Sequence, residues 1–118
     1  MSDSPAWRVT PSELSLHPVH DPAHIEGDIE VRLVSRDPFV LVNTFAPNTK
    51  VAAHSHGCDT LYLFHAGEFH IEGEGVFRPG DIRFVKAGHM YGPEWAGPEG
   101  ATIQIIGLAP GFDTAYAD

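Results

Sequence analysis

Two histidines separated by one serine, His54-Ser55-His56, stand just ahead of an apolar run over residues 60–65. In an extended strand, side chains two apart share a face, so both imidazoles can converge on one point inside a sheet. Neutral imidazole binds divalent transition metals, and such a pair needs one or two further donors to complete a catalytic site. The pattern points to a metal centre on an inner β face. A pair of polar residues lining a ligand pocket without metal is the competing reading.

The rest of the chain supplies the sheet that such a pair requires. Residues 29–34 alternate apolar and polar side chains as a half-buried strand does, and 39–45 form a richer β run opened by Pro38. Further short strands are expected over 50–56, 61–65, 68–72, 76–78, 81–85 and 102–106, separated by Gly67, Gly73, Gly75, Pro79-Gly80 and Gly97-Pro98. Evenly spaced short strands with Gly/Pro punctuation predict an all-β sandwich or barrel. Four prolines interrupt the opening segment, so residues 1–28 are expected to form an irregular arm, packed on the barrel or exchanged with a second copy. Trp7, Val9 and Leu16 are its expected anchors, and His17, His20 and His24 read as surface residues. Residues 29–118 form the barrel.

Composition excludes several functions. In 118 residues, 42% apolar side chains suffice for one domain with one core. A net charge of −9, from 16 acidic and seven basic residues, disfavours nucleic acid and anionic membranes, which need clustered Lys and Arg. No apolar run approaches the roughly 20 residues of a membrane span, and the start lacks the pattern of a secretory signal. Cys58 is the only cysteine, so an internal disulfide cannot form and a cytoplasmic protein is expected.

These residues resemble the cupins, small jelly-roll barrels. The first cupin motif reads G-x5-H-x-H-x3,4-E-x6-G. The match here runs through His54, His56 and Gly67, with Asn48 at the first glycine and Thr60 where the glutamate stands. The second motif, G-x5-P-x-G-x2-H-x3-N, is similar to residues 80–91, with Lys86 at the proline and Tyr91 at the histidine. The resemblance covers roughly residues 30–107. It implies a cupin jelly-roll barrel and a divalent transition metal, with Fe(II) favoured and Mn, Ni or Zn as alternatives. A homodimer is implied by the resemblance alone.

In that frame His54 and His56 are the expected metal ligands. His89 shares a strand face with Tyr91 if the segment is extended, which makes it the candidate third ligand or, failing that, a pocket acid or base. Tyr91 is expected to orient substrate through its hydroxyl, with phenolate ligation as the alternative. Thr60 is expected to hydrogen-bond a bound water or substrate. Tyr62, Phe64, Phe45, Phe84 and Trp95 are expected to line the barrel and, at its mouth, the substrate pocket. Cys58 reads as a small buried hydrophobe and, less simply, as a thiolate ligand. His65 and His70 face outward by parity. Glu94 lies in a Gly/Pro-dense stretch, 92–100, that reads as turns, either a lid or a hairpin.

Three neutral imidazoles would leave a divalent ion its full charge and favour an anionic substrate such as an enolate, thiolate or carboxylate. Cupins that kept three histidines and lost the glutamate include diketone-cleaving and thiol-oxidising dioxygenases. The leading expectation is a metal-dependent oxygenase acting on a small anionic molecule. Non-redox lyase, isomerase or cyclase chemistry is one alternative. A non-catalytic binding or sensing cupin, with the arm and the tail over 109–118 contacting a partner, is the other.

Overall fold

The computed structural model describes residues 4–117. After a short 3-10 turn at Pro11–Glu13, the strands begin with β1 (His17–Val19), β2 (Ile25–Glu26), β3 (Ile29–Arg36) and β4 (Phe39–Phe45). Then come β5 (Lys50–Val51), β6 (His54–Ser55), β7 (Thr60–Ile71) and β8 (Gly75–Phe77). The chain closes with β9 (Ile82–Val85), β10 (Glu94–Gly107) and β11 (Ala115–Tyr116). Nine strands make one antiparallel sheet in the order β1-β3-β4-β10-β5-β2, with β7 joining β10 to β8 and β9. β11 and β6 form a separate pair. The architecture is all-β, a curled jelly-roll sheet.

Period-two alternation decides which side chains enter. Thr60, Tyr62 and Phe64 of β7 are buried, while His65 faces out. Tyr62 pairs with Ile105 of β10, which pairs with Leu41 of β4, so one inward row crosses three strands. Below it, Phe45 packs on Phe69 with ring centroids 4.9 Å apart, and Phe64 stacks on Phe77 at 4.8 Å. Each fully buried aromatic of this kind contributes about 1.5–3 kcal/mol of hydrophobic stabilisation.

The two central strands are longer than the spacing of turn residues suggests. β7 runs unbroken through Gly67, and β10 runs from Glu94 through Pro98 and Gly100. The register shifts between Ala96 and Ala101, and such a bulge relieves Pro98 of the ladder hydrogen bond it cannot donate. Gly67 lies at φ 72°, and a Cβ there would sit 2.0 Å from the Gly100 carbonyl oxygen. Only glycine permits that crossing. The stretch expected to be turns is therefore largely strand, and Glu94 opens it.

The opening segment contributes β1 to the edge of β3 and β2 to β5. Ile25, 7% exposed, anchors it in the core, whereas Trp7 and Leu16 stand exposed. Among the described residues no helix is long and apolar enough to cross a membrane.

Candidate metal centre

β6 presents His54 to the interior, and the chain beyond it presents His56; both are buried. Each imidazole is fixed from behind. His54 Nδ1–H donates to Ala52 O at 2.7 Å, and His56 Nδ1–H donates to Asp113 O at 2.7 Å. Those bonds select the tautomer in which both Nε2 atoms carry lone pairs aimed into the molecule, the arrangement that orients metal-binding histidines. Burial pulls the His54 pKa down to about 4 despite its backbone hydrogen bond, and burial lowers His56 too. Both rings are neutral at pH 7.

Tyr91 enters beside them because its backbone exchanges two hydrogen bonds with His54, at 2.9 and 3.0 Å. Its hydroxyl oxygen lies 3.0 Å from His54 Nε2 and 3.0 Å from His56 Nε2. The Tyr62 hydroxyl lies 2.8 Å from His56 Nε2 and in close hydrogen-bond contact with that of Tyr91. Burial raises the pKa of both phenols. Four close contacts thus share two hydroxyl protons, so lone pairs face lone pairs. A positive ion resolves that conflict.

Glu94 is the group that can bring a negative charge to such an ion. It is 4% exposed, its Oε1 lies 3.5 Å from His54 Nε2, and its Oε2 is buried with no hydrogen-bond partner among the described residues. Desolvation pushes its pKa up to about 8, whereas a cation in the cluster would hold it ionised. Two imidazoles, a carboxylate and two phenols form a nitrogen and oxygen donor set suited to a first-row divalent ion. The residues fit such an ion, although among the described residues no three His, Cys, Asp or Glu side chains form a ready-made cage.

Beneath the cluster lies Arg83, 5% exposed, with its guanidinium carbon 4.1 Å from the Tyr91 ring centroid and 5.1 Å from that of Tyr62. Glu74 neutralises it through bonds of 2.7 and 2.5 Å. The C-terminal tail covers the other side. Phe112 stacks on His56 with centroids 4.6 Å apart, and β11 pairs with β6. Next to the cluster opens a cavity of about 190 Å³, lined by apolar residues of β3, β4 and β10 and also by His54, His56, Tyr62 and Glu94.

Several expected site residues lie elsewhere. His89 is exposed just past a turn closed by its N–H to Lys86 O; its ring stacks beside that of Tyr91 with centroids 6.4 Å apart, and among the described residues no contact joins it to His54 or His56. Thr60 is fully buried and its hydroxyl donates to Cys58 O at 3.0 Å, outside the cavity lining. Phe84 is 74% exposed because Arg83 and Val85 take the inward positions of β9. Trp95 lies on the outer face, stacked on His70. Phe64 is core behind the cavity, while Phe45 and Tyr62 do line it. Cys58 is buried and outside the cavity lining. The residues missed by sequence reasoning are Glu94 as a donor, Arg83, and Phe112, Asp113 and Tyr116 of the tail. The parity of Val85 points to Arg83; the others leave no comparable signal.

This arrangement has the fold of the cupins. No family model matches the chain, and no curated protein matches it. Among solved structures it resembles an acetylacetone dioxygenase from Acinetobacter johnsonii, at TM-score 0.75 and 15% identity over 100% of this chain and 80% of that one. It also resembles a polyketide cyclase from Streptomyces resistomycificus, at TM-score 0.73 and 15% identity over 96% and 86% of the two chains. An RmlC-like cupin from Shewanella frigidimarina aligns at TM-score 0.66 and 18% identity over 86% and 90%. At such identities the likeness is one of fold.

Proposed function

We propose that this protein is a small metal-dependent oxygenase acting on an anionic organic molecule. His54 and His56 hold the metal, Glu94 completes a two-histidine, one-carboxylate set, and Fe(II) is the preferred ion. The observation that carries this reading is the convergence of two backbone-fixed, unprotonated Nε2 atoms beside a buried carboxylate in the lining of an apolar cavity. When bound, such an ion polarises a coordinated oxygen and, if redox-active, supplies electrons for reaction with O2.

The chain's own residues do the rest. Glu94 in place of a third histidine lowers the charge of the centre from two to one, and an oxyanion substrate removes the remainder. Tyr62, which lines the cavity, supplies a hydroxyl proton that orients that oxygen or passes to it, and Tyr91, hydrogen-bonded to Tyr62 from outside the lining, positions that hydroxyl. The apolar walls and Phe112 exclude water, which strengthens every charge interaction inside. The likeness to a polyketide cyclase supports a second reading, non-redox cyclisation or lysis with Tyr62 as proton donor. The test is to load the protein with Fe(II) and follow oxygen consumption with β-diketones, thiols and hydroxyaromatics. Turnover with one class supports the oxygenase. Stoichiometric metal with product formed and no oxygen consumed moves the assignment to the second reading, and no bound metal removes both.

A further inference from the structure

Away from the histidines, the cavity wall holds an amide that the fold itself leaves unanswered. Asn43 lies on the inner face of β4 between Leu41 and Phe45, and all three line the cavity. Across the sheet it pairs with Val31 of β3 and Ile103 of β10, which line it as well. Its Oδ1 is buried and has no hydrogen-bond partner among the described residues. Its neighbours show that the wall accepts branched and aromatic apolar side chains. A valine or leucine at this position would close the wall without stranding an acceptor, so a structural purpose for the amide is missing.

Its place relative to the metal centre is set by the ladder. β4 is two strands from β7, about 10 Å across the sheet, and Asn43 lies one inward row away from the row of Tyr62. A molecule filling the cavity can therefore meet the histidine cluster and, two strands along the same curled sheet, Asn43, with apolar contacts between.

We propose that Asn43 is a specificity-determining residue, its Oδ1 accepting a hydrogen bond from a hydroxyl or amide N–H on the far end of a substrate whose near end is an oxyanion. The substrate class is a short, apolar-centred oxyanion with a donor at its other terminus. This rests on the metal-centre reading above. It adds a requirement that the metal centre alone does not impose, because a site built to bond a donor discriminates strongly against the analogue lacking it.

The test uses protein loaded with Zn(II), which is redox-silent, and calorimetric titration with matched carboxylates: butanoate against 4-hydroxybutanoate, and hexanoate against 6-hydroxyhexanoate. At the better-fitting length the hydroxylated member should bind about tenfold tighter, equivalent to about 1.4 kcal/mol. In Asn43→Leu and Asn43→Val the ratio should fall to about one, with zinc stoichiometry retained as evidence of folding. Equal binding within both pairs, or a hydroxyl preference that survives in the variants, overturns the role of Asn43 and leaves the metal centre standing. If zinc-loaded protein binds neither series, the substrate class proposed here falls and the metal centre stands; if the protein takes up no stoichiometric zinc, the metal-centre reading falls, and this inference with it.

Discussion

His54-Ser55-His56 and His89-Met90-Tyr91 place their key side chains at the same two-residue spacing, yet they behave differently. The first segment is pinned on both sides. β11 pairs with β6, Tyr91 bridges to His54, and two carbonyls hold the imidazoles from behind. The second emerges from a turn at Gly88, whose N–H donates to His56 O, and Tyr91 pairs with His54. The first segment is therefore buried at both of its ligand-type positions, whereas in the second Tyr91 is buried and His89, its ring stacked beside that of Tyr91 with centroids 6.4 Å apart, stays exposed. Spacing by two sets which side chains share a face, but whether each is buried depends on the elements that cover it.

Substitutions can break that contrast. The largest expected effect is on metal content: His54→Ala or His56→Ala should abolish stoichiometric binding by elemental analysis, while His89→Ala leaves it unchanged. Loss of metal in the His89 variant would reunite the two segments. Inner and outer aromatics offer a second contrast. Phe69, 1% exposed, should cost about 3–5 kcal/mol when replaced by alanine, whereas Phe84→Ala should stay within about 0.5 kcal/mol, as read by denaturant unfolding.

A smaller effect tests the scaffold behind His56. Truncation after Ala109 removes Phe112 and the Asp113 carbonyl that holds Nδ1. Metal affinity in a competition titration should drop by about 10–100-fold, the usual consequence of losing an outer partner of a ligand. An unchanged affinity would show that β6 alone fixes the ring.

The strands and the paired histidines were legible because alternation and Gly/Pro punctuation are local signals. Glu94 was not. Its Gly/Pro-dense surroundings read as turns, but a bulge between Ala96 and Ala101 absorbs Pro98 and keeps β10 continuous. Arg83 takes the inward place expected of Phe84, in step with the parity of Val85, because Glu74 and two tyrosine rings compensate the buried guanidinium. His89 stays exposed beside Tyr91 while the C-terminal tail covers His54 and His56, a difference set by contacts distant in sequence.

X-ray absorption at the metal edge of zinc-loaded protein probes the central claim most directly. Two imidazole nitrogens at about 2.0–2.1 Å with oxygen donors completing the shell are expected. A shell with three imidazoles, or with none, would contradict it.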